Sequence, residues 1–182
     1  MTSNSETEFD RSVLAELSGR VGETLEGVSE GRGLRVGLAL ARFNGGITAR
    51  LLRGALDELF ACGVERADVS LAWAPGAFEL PLLALAYALA DRRVDAVITL
   101  GAVIRGDTGH YDIVAGECAR GAQDVQLRTG VPVIFGVLTT NTIEQALVRS
   151  RADDTNKGRE AARTALEMVS LLRQGSLTRS CK

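Results

Sequence analysis

Leu34-Arg35-Val36-Gly37-Leu38-Ala39-Leu40-Ala41-Arg42-Phe43-Asn44 is the stretch on which the fold turns, because a short apolar run breaks there and a helical period begins. Residues 34–40 read as a first strand. From about residue 45 to 62, Ile47, Leu51, Ala55 and Leu59 recur at every fourth position, and Gly63 marks the end of that helix. A strand passing into a helix of this kind opens a βαβ unit.

The alternation continues along the chain. Residues 68–73 form a second strand, and about 77–90 a helix that is apolar almost all the way round. Residues 96–103 and 132–137 are strands three and four, with an amphipathic helical segment over 113–127 between them. Two helices, near 142–149 and 158–173, close the chain. Strands alternating with helices specify an α/β fold with a parallel sheet covered on both faces. Residues 1–23 are polar and poorly periodic; a short helix is expected around 12–17, with at least part of this extension mobile.

With 46% hydrophobic and 24% charged residues, 182 residues can bury one substantial core, and a single globular domain is expected. A formal charge of -2, a pI near 5.5 and the lack of a lysine or arginine block argue against nucleic acid or an anionic membrane and favour small-molecule ligands. Cys62, Cys118 and Cys181 are odd in number, far apart and without a CxxC pair. They suit a reducing cytosol as two core thiols and a tail thiol, and with a single histidine in the chain they speak against a structural zinc. The polar start, with Glu6, Glu8 and Asp10, does not read as a secretory signal, so a cytoplasmic protein is expected. Residues 81–90 are the most apolar stretch but fall well short of the roughly 20 residues of a membrane span. They read as a buried helix, whose far side implies a subunit contact.

Ligands of open parallel sheets bind beyond the carboxyl ends of the strands, so the four segments that follow the strands are the candidate sites. After the first strand, Ala41-Arg42-Phe43-Asn44 offers an aromatic ring, either a core residue or a platform for a planar ligand. After the second, Ala74-Pro75-Gly76-Ala77-Phe78-Glu79-Leu80-Pro81 leads a second ring and a carboxylate into a helix start. Glu79 there either complements the helix dipole or accepts N–H groups from a heterocycle. After the third comes Gly101-Ala102-Val103-Ile104-Arg105-Gly106-Asp107-Thr108-Gly109-His110-Tyr111-Asp112. Its Gly106–Gly109 tetrapeptide opens a helix and suits a phosphate, with Asp107 a plain N-cap as the alternative. An isolated histidine is more often structural, but these surroundings favour His110 as a proton carrier, since imidazole titrates nearest neutrality. After the fourth, Phe135-Gly136-Val137-Leu138-Thr139-Thr140-Asn141 precedes Arg149, Arg151, Lys157 and Arg159, for which a solvated charged face is the bland account. GxGxxG and GxxxxGK[ST] are absent, so dinucleotide binding and P-loop hydrolysis lose their usual markers.

Together, Ala41-Arg42-Phe43-Asn44, Pro75 through Pro81, Gly101 through Asp112, Phe135 through Thr139 with Glu144-Gln145-Ala146, and Asn156-Lys157-Gly158 closely resemble the 6,7-dimethyl-8-ribityllumazine synthase family, over about residues 25–172. The resemblance implies a three-layer, flavodoxin-like α/β/α sandwich with a four-stranded parallel sheet, a domain over 24–174 and a tail over 175–182. It implies the penultimate step of riboflavin biosynthesis: a transferase that condenses 5-amino-6-(D-ribitylamino)uracil with 3,4-dihydroxy-2-butanone 4-phosphate, without metal or organic cofactor. By matching positions, Phe43, Ala77, Phe78, Glu79, Ala102, Val103 and Ile104 would surround the ribitylaminouracil, with Phe135 from the adjacent subunit. Asp107, Thr108 and the neighbour's Arg149 would hold the phosphate, and His110 would carry protons. Lys157 and Glu160 match positions near the site. The implied assembly is a homo-oligomer, a pentamer or a 60-subunit shell of twelve pentamers, with sites at subunit interfaces. The chain departs from the pattern at Gly109, often proline, at Tyr111, often phenylalanine, and in the length of its N-terminal extension.

Other readings stay open on the sequence. A riboflavin synthase of the same fold would stack a similar ligand on Phe43 and Phe78, and a non-catalytic binder or shell protein would keep the pocket without turnover. A flavodoxin-like electron carrier is disfavoured, because Arg42-Phe43-Asn44-Gly45 is short and poor in Ser and Thr for a phosphate loop.

Overall fold

In the computed structural model, which describes residues 11–174, strand β1 (Val36–Ala41) is buried at every position, as a strand covered on both faces must be. Its neighbours are β2 (Val69–Ala74) on one side and β3 (Ala96–Ile104) on the other, with β4 (Val133–Thr140) beyond β3. All pairs are parallel, in the order β2-β1-β3-β4. The helices are α1 (Arg11–Ser18), α2 (Gly45–Ala61), α3 (Leu80–Leu89), α4 (His110–Thr129), α5 (Ile143–Arg149) and α6 (Lys157–Leu172).

The period-two alternation of the strands sorts the core into two halves. Val36, Leu38, Leu40, Ile98 and Leu100 point to the face covered by α2 and α6, where Leu51, Leu59, Ala162 and Leu166 meet them. Ala39, Ala41, Val97 and Val137 point to the other face, covered by Leu80 and Ala84 of α3 and Cys118 and Ala122 of α4. Helix, sheet and helix form three layers, as expected. Helices α2 and α6 lie very close: a Cβ on Gly158 would stand 1.9 Å from the Leu51 carbonyl oxygen, so only glycine fits there. Asn156 caps α6 by accepting from the N–H groups of Gly158 and Arg159 at 2.8 and 3.3 Å, and its amide donates to the carbonyl of Arg151 at 2.7 Å.

Element ends differ from the sequence reading by a few residues. β4 runs on to Thr140 rather than stopping at 137, because Leu138 and Thr140 are buried and pair with Ala102 and Ile104 of β3. Helix α4 begins at His110, ahead of the apolar period, with Gly109 as N-cap and Gly130 in the left-handed conformation behind it. Asp107 is therefore no N-cap. The short N-terminal helix is present, and further on the chain straps itself to α6, where Ser29 donates to Glu167 at 3.0 Å and Gln174 donates to the Glu26 carbonyl at 2.6 Å. Cys118 is buried and Cys62 partly so; Cys181 and the expectations for residues 1–10 and 175–182 lie outside the described residues. Helix α3 is covered by the sheet on one side only, and Leu82 and Leu89 stand 71% and 66% exposed on the other. Among the described residues, no helix is long and apolar enough to cross a membrane.

Candidate functional site

Three of the four strand exits converge. Beyond β1, the Arg42 and Phe43 N–H groups donate to the carbonyls of Ala74 and Pro75 at 2.9 and 3.1 Å, which carries the sheet pairing past the strand and sets Phe43 beside the proline turn. Asn44 then turns the chain into α2 with a φ of 57°, a left-handed value that asparagine tolerates better than most residues. Its side-chain amide donates to the Ala102 carbonyl at 2.9 Å and ties this loop to β3.

Beyond β2, Ala77–Glu79 forms a single tight turn before α3, which carries Pro81 in its first turn, and the Gly76 N–H donates to Glu79 Oε2 at 3.0 Å. Glu79 thus closes its own turn through one oxygen. Beyond β3, the chain leaves the sheet after Ile104, and the His110 N–H reaches Thr108 Oγ1 at 3.4 Å. The N-cap of this 20-residue helix, Gly109, offers no side-chain bond, and its carbonyl accepts from the Asp112 N–H at 3.2 Å.

Between these exits lies a cavity of about 750 Å³. Phe43, Ala77, Phe78, Glu79, Ala102, Val103, Ile104, Thr108 and His110 all line it, with the two phenylalanine rings 73% and 52% exposed. Of the sequence candidates for this side, only Asp107 is not among the lining residues; it is exposed on the turn. Asn44, Tyr111, Ile113 and Val114 also line the cavity and were not singled out. Their signal was adjacency: Ile113 and Val114 lie within one helical turn of His110 and so share its end of α4.

The fourth exit stands apart. Phe135, Arg149, Lys157 and Glu160 line a second, open cleft of about 620 Å³ along the edge strand β4, between α4 and α6. Phe135 is 38% exposed there, although it sits in the middle of its strand. Arg149 Nη1 donates to the Gln145 carbonyl at 3.2 Å, and Lys157 pairs with Glu160. The run of bases is not uniformly solvated: Arg159 reaches Glu58 at 2.5 Å, and Arg163 meets the same carboxylate at 2.6 Å. One chain thus presents the expected site residues in two separate places.

The electrostatics add a feature that the sequence did not disclose. Arg105, at the exit of β3, closes on Asp112 of α4, and its hydrogen bonds hold that carboxyl below the usual carboxylate range. Burial pushes the Cys118 thiol up to about 12, which leaves it unreactive in the core. Among the described residues, no group of three or more His, Cys, Asp or Glu side chains is placed to hold a metal ion.

The family model described as 6,7-dimethyl-8-ribityllumazine synthase matches residues 33–173, from the approach to β1 through the end of α6. That span contains all four strands and both clefts, and it shows that the chain belongs to the 6,7-dimethyl-8-ribityllumazine synthase family, transferase-type enzymes of riboflavin biosynthesis.

Proposed function

We propose that this protein condenses 5-amino-6-(D-ribitylamino)uracil with 3,4-dihydroxy-2-butanone 4-phosphate to give 6,7-dimethyl-8-ribityllumazine, releasing phosphate and water. The observation that carries this reading is the convergence of two exposed rings, a carboxylate and the chain's only imidazole on one cavity of about 750 Å³. Its size falls within the range of pockets that enclose small molecules, and a planar, N–H-rich heterocycle suits its lining.

In this reading Phe43 stacks on the pyrimidine, while Ala77, Phe78 and Glu79 bind the uracil and the ribityl chain, Glu79 through the oxygen that does not close its own turn. Ala102, Val103 and Ile104 form the apolar wall. Thr108, Asp107 and the start of α4 take the phosphate, which the helix dipole favours. A neighbouring subunit supplies Phe135 and Arg149, with Lys157 and Glu160 beside them. Their place in a separate cleft, and the bare apolar side of α3, support a homo-oligomer whose sites form between protomers.

The 5-amino nitrogen adds to the ketone carbonyl, and loss of water gives an imine. Removal of the adjacent C–H proton expels the phosphate and leaves an enol, which becomes a methyl ketone; the ribitylamino nitrogen attacks it, and a second water leaves as the ring closes. His110 carries the protons between these steps. Holding two reactive partners in register supplies much of the acceleration, because amines and ketones condense slowly unaided. Incubation with both substrates, followed by mass and fluorescence of the product, tests the reading: one phosphate per dimethylribityllumazine supports it. Absence of that product, or conversion of added lumazine to riboflavin, overturns it.

A further inference from the structure

The turn that presents Thr108 and His110 has little to hold its shape. A Cβ on Gly106 or on Gly109 would meet no atom within 4 Å, so the turn lies in open space rather than packed against a wall. What spans it is Arg105. Its N–H donates to the Thr140 carbonyl at 2.9 Å, which anchors the backbone to the sheet. Its Nη1 and Nη2 donate to the two carboxylate oxygens of Asp112 at 3.2 and 2.9 Å, across the whole turn, and its guanidinium lies 4.1 Å from the centre of the Tyr111 ring. Nε donates to Asn141 Oδ1 at 3.2 Å. From Asn141 the contacts continue: its N–H donates to Gln145 Oε1 at 2.9 Å, and the Gln145 carbonyl accepts from Arg149 at 3.2 Å.

We propose that Arg105 is a positioning residue for phosphate binding, fixing its own chain's Gly106–Gly109 turn through Asp112 and steadying, through Asn141 and Gln145, the Arg149 that this chain lends to a neighbour's site. This rests on the reaction proposed above. The role calls for arginine, since only a planar fork engages a carboxylate with two parallel bonds while a third N–H points elsewhere. The ion pair is exposed, 43% at Arg105 and 63% at Asp112, and pairs of that kind contribute little to stability. Its effect therefore belongs to ligand geometry and not to folding.

The test is steady-state kinetics and thermal melting of the assembled wild type, Arg105→Lys, Asp112→Asn and Asn141→Ala. Arg105→Lys and Asp112→Asn are expected to raise KM for the butanone phosphate roughly five- to tenfold, leaving KM for the ribitylaminouracil within about twofold and melting within a few degrees. Asn141→Ala, which cuts only the branch toward Arg149, is expected to raise the same KM about two- to threefold. Unchanged KM in Arg105→Lys and Asp112→Asn overturns the proposal, as does an equal rise in both KM values together with a lowered melting point, the mark of a merely structural role. Unchanged KM in Asn141→Ala overturns the link to Arg149. If the wild type makes no lumazine, the reading of the reaction fails, and calorimetry with inorganic phosphate decides the positioning: weaker binding to Arg105→Lys supports it, and equal binding overturns it.

Discussion

His110 sits at the first position of α4, exposed, with its N–H turned back on Thr108 and its ring free to face the cavity. General acid–base catalysis typically contributes ~10²–10⁴-fold, and the condensation proceeds in part by approximation alone, so His110→Ala is expected to slow turnover severely without abolishing it. Rates within twofold of wild type would remove the imidazole from the mechanism. In the proposed reaction Arg149 acts on binding, because its guanidinium would grip the phosphate. Arg149→Ala forfeits a charge-assisted contact of about 1.5–3 kcal/mol, which predicts a KM for the butanone phosphate raised about ten- to a hundredfold with kcat much less affected. A normal KM would reject that assignment. His110 was singled out as one histidine in a glycine-punctuated turn, whereas Arg149 was named only through the family resemblance, since the spacing of the bases by itself reads as a solvated charged face. Arg105 was not, because its meaning lies in a carboxylate seven positions on, beyond a turn whose path periodicity does not describe.

At the scale of elements, the α2–α6 contact is the part of the fold most exposed to test. Glu58, only 8% exposed, receives Arg163 and Arg159 together; the hydrogen bond from Arg163 is the largest of the effects that lower its pKa, against the opposing effect of burial. A carboxylate whose folded pKa lies below its ordinary 4.5 contributes stability that is present above that value and is lost as pH falls through the folded one. Glu58→Gln is therefore expected to lower the unfolding free energy by about 1–3 kcal/mol near neutrality, toward the lower end because Arg163 is half exposed. The deficit relative to wild type should shrink below about pH 4.5, as denaturant melts over a pH series would show. A constant deficit would mean that packing, not charge, is what the substitution removes. The elements themselves were legible, since period-two and fourfold apolar spacing report which faces are buried. Their ends were less so: β4 extends to Thr140 because β3 offers partners that a local reading of residues 132–137 does not contain.

For the whole molecule, the decisive fact is that Phe135 and Arg149 open onto a different cleft from Phe43 and His110. If protomers complete one another's sites, His110→Ala and Arg149→Ala chains, each poor alone when assayed at butanone phosphate well below the raised KM of Arg149→Ala, should regain activity when unfolded and reassembled together. Random mixing restores both groups at roughly a quarter of the interfaces, so specific activity approaching that fraction of wild type is expected. No gain over the parents would place the site within a single chain. Light scattering on the same samples gives the mass of the assembly and separates a pentamer from a shell.

The amino-acid sequence alone determined the layered α/β architecture, because apolar periodicity is a local record of which side of each element meets another. It also picked out the segments beyond the strand ends as candidates, and the first three of them line one cavity, since a parallel sheet sends its strand exits to one end. Only the tertiary structure decided that within one chain these residues divide between two clefts, and that Arg105 reaches across the Gly106–Gly109 turn to Asp112. Those facts depend on distances between segments far apart in the chain, and spacing along a sequence carries no measure of distance across a fold.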